Sequence, residues 1–89
     1  MGNLYLVDRP FGANGLALAV RDGDAIVALI QDGVYLDTAE LQKAGRRVYA
    51  IQRDVERRGY GPRLAEGVKQ IGFEELVDLI VANKVVNFA

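Results

Sequence analysis

The 89-residue chain contains no cysteine, no histidine and no serine. Without cysteine it can form neither a disulfide nor a persulfide, and it has no thiol nucleophile. Zinc sites built from cysteine and histidine are excluded for the same reason, and a Ser-His-Asp triad is excluded because two of its three members are missing. We therefore predict no catalytic residue, no resident metal and no cofactor on this chain.

Long apolar segments are also scarce. The longest unbroken apolar run is six residues, Ala25–Ile30, which is far too short to span a bilayer. The N-terminus enters a strand-like pattern directly, without the basic region and apolar stretch of a signal peptide. These features predict a soluble cytoplasmic protein with no membrane contact.

Charge of one sign is not in excess overall, since 11 basic and 12 acidic residues give a net charge of −1. The distribution along the chain is uneven, because residues 43–63 hold seven basic and two acidic residues and so carry +5. A solvated face is the favoured interpretation, and a docking surface for an acidic partner or an RNA backbone is the alternative. The basic residues are Lys43, Arg46, Arg47, Arg53, Arg57, Arg58 and Arg63.

The length predicts one domain, residues 1–89. A chain of this size buries roughly 60–65% of the surface that its unfolded form exposes. Its hydrophobic content of 51% is high for so small an interior. We therefore expect another subunit to cover part of the apolar surface, in a homo- or hetero-oligomer.

Five strand-like runs alternate with helical patterns. The second run, Ala25–Ile30, is apolar throughout, as is typical of a central strand in a parallel sheet that is covered on both faces. The intervals between runs are long enough for parallel crossovers. The fold class is therefore α/β, a small open, mostly parallel β-sheet with right-handed crossovers and helices on both faces. The other strands are Leu4–Val7, Val48–Ile51, Val68–Ile71 and Val85–Phe88.

Four helices are predicted between these strands, each with a start or stop signal. Asn14 is the expected N-cap of the first, and Gly45 and Gly59 are expected to end the second and third. The fourth carries one apolar stripe at helical spacing, and Gly59–Pro62 is predicted to be a loop. The helices are Asn14–Arg21, Thr38–Ala44, Gln52–Arg58 and Gly72–Val81, and the stripe is Phe73, Leu76, Val77, Ile80 and Val81.

Ligands bind at the carboxyl ends of the strands in such sheets, and the segment Gln31-Asp32-Gly33 lies at one of these ends. A nucleotide site using the Gly12 turn and Asp32 is one alternative, although the turn reads G-x-x-G instead of G-x-G-x-x-G. A carboxylate site for Mg²⁺ made by Asp8, Asp32 and Asp54 is another. The local interpretation of Asp32 is that Asp-Gly ends the strand and the carboxylate accepts backbone N–H groups of the next segment.

Several elements in this order resemble the DsrH/TusB family, the B-type subunits of sulfur-relay complexes. The most specific are Gln31-Asp32-Gly33-Val34-Tyr35 and Val48-Tyr49-Ala50-Ile51 followed by Asp54 and Arg58-Gly59. The similarity runs nearly end to end and also includes Leu4–Asp8, Gly23–Ala25 and Glu75–Leu79.

The resemblance implies a DsrE/DsrF/DsrH-like fold and a place in an assembly with DsrE/TusD-like and DsrF/TusC-like subunits. That assembly passes persulfide sulfur toward 2-thiolation of the tRNA wobble uridine, or serves sulfur oxidation. The reactive cysteine then belongs mainly to the DsrE/TusD-type partner. Some members carry a cysteine in the first helix, where this chain reads Gly15-Leu16-Ala17-Leu18-Ala19-Val20.

We therefore expect a non-catalytic subunit whose important residues are contacts. A free-standing homo-oligomeric module and a small nucleotide-binding domain are the alternatives, and direct contact with tRNA is left open. The predicted contact residues are Gln31, Asp32, Tyr35, Asp54, Arg57 and Arg58.

Overall fold

A computed structural model describes residues 2–9, 11–61, 64 and 67–89. It confirms the five predicted strands and four predicted helices, and it adds a short 3₁₀ helix, Gln31–Tyr35. The strands are β1 (Asn3–Val7), β2 (Ala25–Leu29), β3 (Arg47–Ile51), β4 (Lys69–Ile71) and β5 (Lys84–Phe88), and the helices are α1 (Gly12–Arg21), α2 (Ala39–Lys43), α3 (Gln52–Arg57) and α4 (Phe73–Ala82).

The strands form one parallel sheet in the order β4-β3-β2-β1-β5. The most apolar strand, β2, lies at the centre, as its composition predicts. The first three crossovers all step in one direction across the sheet, whereas the last returns from one edge to the other. Because such crossovers are right-handed, α4 lies on the opposite face from α1, α2 and α3.

The main core lies between the sheet and the first three helices. Side chains alternate along each strand, so that Tyr5, Val7 and Val27 point into this core, and Leu16 of α1 and Leu41 of α2 meet them there. Arg46 of the basic segment lies at the end of this core where the strands begin, and it connects α1 with the start of β3. The Arg46 guanidinium donates hydrogen bonds to the carbonyl oxygens of Ala19, Val20 and Ala44, at 3.2, 2.8 and 2.8 Å.

The start of α1 corrects one prediction. The helix begins at Gly12 with Phe11 as its N-cap residue, so Asn14 lies inside the first turn and the prediction of Asn14 as N-cap is wrong. Gly12 allows this early start because it brings the helix close to the sheet. A Cβ at that position would collide with the side chains of Val7 and Leu36.

The ends of α2 and α3 agree with the sequence. Gly45 and Gly59 follow these helices with φ of 75° and 59°, in the left-handed region where glycine is favoured. In the loop after α3, Pro62 lies outside the described residues, as does Arg63 of the basic segment. None of the helices within the described ranges is long and apolar enough to cross a membrane.

Helix α4 forms where its apolar stripe predicts it, but most of the stripe is exposed. The exposed fractions are 54% for Phe73, 54% for Val77 and 81% for Val81. Leu76 and Leu79 are partly buried, and they line clefts shared with strand residues. The helix therefore contacts the sheet along a line through Leu76 and Leu79, which is displaced from the stripe.

Candidate functional site

The chain leaves the central strand through a sharp turn at the carboxyl edge of the sheet. Ile30 is extended and its N–H donates to the carbonyl oxygen of Val7 at 3.0 Å. Gln31 then adopts φ of 50°, the one non-glycine residue with positive φ in the described part of the chain. Gly33 packs so closely on the Val7 carbonyl that a Cβ there would collide with it. The turn is thus made by Gln31 and Gly33, not by Asp32 and Gly33 as predicted.

Asp54, in the first turn of α3, holds this turn in place. The Gln31 N–H donates to Asp54 Oδ2 at 2.8 Å, across 23 residues of sequence. A non-glycine residue in the left-handed region costs on the order of 1–3 kcal/mol and persists only where its surroundings enforce it. A hydrogen bond to a carboxylate is among the stronger ones and offsets part of that cost. The Asp54 side chain is 14% exposed, so its role is largely internal.

Arg58 joins the two acids. Its Nε donates to Asp32 Oδ1 at 2.8 Å, and one terminal nitrogen donates to the Asp54 carbonyl oxygen at 3.2 Å. The same nitrogen lies 3.7 Å from Asp54 Oδ1. The hydrogen bond with Asp32, followed by the charges of Asp32 and Asp54, raises the pKa of Arg58 despite some desolvation. The prediction that Asp32 accepts backbone N–H groups is wrong, because the hydrogen bond that its carboxylate makes within the described residues is to Arg58.

The arrangement of acids does not favour a metal ion. The carboxylates of Asp32 and Asp54 both form ion pairs with Arg58, whose cationic guanidinium occupies the place that a cation would need. Asp8 instead accepts the N–H of Arg9 at 2.7 Å. Within the described ranges, no group of three acidic residues is arranged to hold a metal. The Gly12 turn likewise serves packing, as Gly12 and Gly15 bring α1 against Leu36 and Phe88.

Aromatic residues form the neighbouring part of the same edge. The rings of Tyr35 and Tyr60 meet edge to face, with centroids 4.9 Å apart and planes at 84°. The Arg9 guanidinium lies 5.2 Å from the centroid of the Tyr35 ring. Arg9 and Tyr60 are not among the predicted contact residues. Their positions, directly after β1 and just beyond α3, are the sequence signal that could have included them.

Arg57 lies apart from this network. It is exposed, and it lines a cleft of about 290 Å³ between the carboxyl edge and the start of α4. The structure thus brings four predicted residues into one hydrogen-bonded network, sets Tyr35 at the same edge, and leaves Arg57 facing the cleft. The network is Gln31, Asp32, Asp54 and Arg58, and the cleft is lined by Ile30, Gln31, Ile51, Arg53, Asp54, Arg57, Phe73 and Leu76.

The fold and this edge define a small parallel α/β domain that offers charged and aromatic groups where its strands end. The family model described as "DsrH like protein" matches residues 12–86. Protein TusB of Salmonella arizonae and that of Salmonella newport are each 33% identical to the chain, over 70% of the chain and 70% of the relative. The chain belongs to the DsrH/TusB family.

A solved structure shows the same fold. The crystal structure of the ychN protein from E. coli superposes on this chain with a TM-score of 0.81 and covers 99% of both chains. Its sequence is 20% identical, so the likeness establishes the architecture. The predicted DsrE/DsrF/DsrH-like, parallel α/β fold is confirmed.

Proposed function

We propose that the chain is a non-catalytic subunit of a cytoplasmic sulfurtransferase complex, which supports persulfide sulfur transfer toward 2-thiolation of the tRNA wobble uridine. Its partners are DsrE/TusD-like and DsrF/TusC-like subunits. One observation carries the proposal: a member of this relay family has no cysteine and no histidine at any position.

Sulfur transfer between proteins proceeds by attack of one thiolate on a persulfide or disulfide sulfur. Each protein that carries the sulfur therefore needs a cysteine. The first helix, where some family members carry one, is made here of glycine, alanine, leucine and valine between Gly15 and Val20. The sulfur must therefore reside on a partner at every step. The contribution left to this chain is to bind, orient and shield that partner.

The carboxyl edge is suited to such a contact. Gln31, Asp32 and Arg57 are exposed, whereas Asp54 and Arg58 are more enclosed and hold the turn in position. Tyr35 is half-buried and offers the amphipathic surface that is enriched at subunit interfaces. These six residues are the contact surface that we assign to the complex.

Replacing Asp32 tests this surface. The chain is coexpressed with the DsrE-like and DsrF-like subunits of the same organism, and its affinity for them is measured by titration calorimetry. Asp32→Ala should weaken association up to about fivefold, because an exposed ion pair contributes about 0–1 kcal/mol. The fold should be retained, as judged by circular dichroism.

Asp24→Ala is the matched control, since Asp24 is an exposed aspartate at the opposite edge of the sheet. Equal affinities of the two variants, with unchanged thermal melts, would show that the carboxyl edge is not the contact. A wild-type chain that retains neither related subunit would overturn the function itself.

A further inference from the structure

The strongest unexplained feature lies on the α4 side of the sheet, away from the main core. Of the seven large apolar side chains exposed in the described residues, five belong to α4 and the strand that follows it. Phe73, Val77, Ile80 and Val81 come from the helix and Val85 from β5. In an isolated chain, these groups would lie open to water.

The sheet beneath is also incompletely covered. Tyr5 and Val7 point into the main core, so Leu4 and Leu6 point to the α4 side, and Ile26 does so by the same alternation. Leu6 and Ile26 are only partly buried although β1 and β2 are inner strands of the sheet. Parallel sheets are normally covered on both faces, and here α4 is the single described helix on this one.

The orientation of α4 places its exposed apolar residues beside the incompletely covered part of the sheet. Glu75 and Asp78 line a cleft with Lys69 of the edge strand β4. Phe73, Val77 and Ile80 lie on the opposite flank of a helix with 3.6 residues per turn. They therefore turn toward β2 and β1, over Ile26 and Leu6. We call the set Phe73, Val77, Ile80, Val81, Val85, Leu6 and Ile26 the α4 surface.

The charges on α4 indicate what kind of partner covers the α4 surface. Glu74 precedes Val77 by three positions and Asp78 precedes Val81 by three, so these acids border the outer side of the apolar residues. Helix α4 contains no basic residue. In an antiparallel pair of two α4 helices related by a two-fold axis, the acidic flank of one copy would face the same flank of the other. Like charges in that position oppose association. A partner with lysine or arginine beside its apolar residues would be attracted instead.

We infer that the α4 surface binds an amphipathic helix of one of the two related relay subunits, with basic residues flanking the apolar residues of that helix. The inference rests on the proposed function and names the surface on which the partner lies. The cleft lined by Arg57 and Phe73 joins this surface to the carboxyl edge, so that one partner can cover both.

The test uses the complete chain coexpressed with its DsrE-like and DsrF-like subunits. Val77→Asp with Val81→Asp should weaken binding at least tenfold, because two charges would have to be buried without a partner. Both positions are exposed, so the isolated variant should fold. Leu18→Asp is the matched control, since Leu18 is 51% exposed on α1 of the other face, and it should bind like the unmodified chain.

A second variant tests the role of the acidic residues and leaves the apolar residues of α4 unchanged. Glu74→Lys with Asp78→Lys should also weaken association with the basic partner helix, and the weakening should diminish at high salt. Unmodified affinity in both double variants would overturn the assignment of this surface while leaving the proposed function intact.

Two further results would count against the inference. If the unmodified chain binds neither related subunit, the inference and the proposed function both fail. If the chain alone sediments as a dimer that Val77→Asp with Val81→Asp disperses, the α4 surface is covered by a second copy instead of a related subunit.

Discussion

Gly33 shows how one residue sets the exit of the central strand. Its α-carbon lies against the Val7 carbonyl, where a Cβ would collide with backbone atoms. Its N–H donates to the Ile30 carbonyl at 2.8 Å, and its own carbonyl accepts the Leu36 N–H at 3.0 Å. The glycine is therefore required for space at a point where two segments of backbone meet. Neither partner is the flexible end of a side chain, so neither can move away cheaply.

Gly33→Ala should lower the free energy of unfolding by about 1–3 kcal/mol, the range for overpacking in a well-packed interior. Gly23→Ala is the control, because a Cβ at Gly23 meets nothing within 4 Å. That substitution should be neutral or slightly stabilising. Urea denaturation measures both, and equal stabilities of the two variants would contradict this description of the strand exit.

Asp22 links the amino-terminal ends of β1 and β2, at the opposite end of the strands from Gly33. Its carboxylate accepts hydrogen bonds from Asn3 Nδ2 at 2.7 Å, the Asp24 N–H at 2.9 Å and the Tyr5 hydroxyl at 3.0 Å. These hydrogen bonds, that of Asn3 first, hold the pKa of Asp22 below its usual value. Burial, and then the hydrogen bond to Asp22, raises the pKa of Tyr5.

A lowered pKa in the folded state means that the ionised Asp22 stabilises the fold above its unfolded pKa of about 3.9, and that this stabilisation is lost as the pH falls through the folded pKa. Asp22→Asn removes the titrating group. We expect its unfolding free energy to fall less steeply than that of the wild type between about pH 5 and pH 2. Urea unfolding across that range measures the slopes, and identical slopes would show that Asp22 does not contribute.

At the scale of elements, the strands and helices follow from local patterns. The apolar run of β2, the glycines after α2 and α3 and the stripe of α4 each predict an element that the structure contains. The 3₁₀ helix and the positive φ of Gln31 are not predictable in this way. They depend on Asp54, which is 23 residues away in sequence. The ion pair of Asp32 is not predictable for the same reason, since its partner Arg58 is 26 residues distant.

The two acids of the carboxyl edge should therefore differ in their effect on stability. Asp54→Ala removes the acceptor of the Gln31 N–H at a strained backbone position and should cost about 1–3 kcal/mol. Asp32→Ala breaks an ion pair whose acid is 57% exposed and should cost less than about 1 kcal/mol. Urea denaturation of both variants makes the comparison. A cost for Asp32→Ala as large as that for Asp54→Ala would contradict the assignment of Asp54 as the internal brace.

For the whole molecule, the basic segment proves to be divided among separate roles. Arg46 closes the end of α1 and Arg58 joins the acids of the carboxyl edge, so neither is simply a solvated charge. Arg47, Arg53 and Arg57 are exposed. Because Arg46 and Arg58 make contacts within the chain, the number of basic residues in the segment overstates the positive charge available to an acidic partner.

The two faces of the sheet also differ in how completely helices cover them, and composition alone indicates this only in part. A hydrophobic content of 51% predicts that some apolar surface is left for another subunit. Among the described residues, most of the exposed large apolar side chains lie on α4 and β5, where one helix packs on a sheet whose other face is covered by three. Which side of an amphipathic helix meets the sheet depends on packing, which periodicity does not specify.

The central claim is that this thiol-free chain acts by assembling with a cysteine-bearing relative. Its most direct test is native mass spectrometry of the tagged chain, coexpressed with the DsrE-like and DsrF-like subunits of its own organism and then exposed to a persulfide donor. We predict a stable complex that contains this chain, with the added sulfur on a cysteine of the partner. Recovery of the tagged chain free of both relatives would contradict the account.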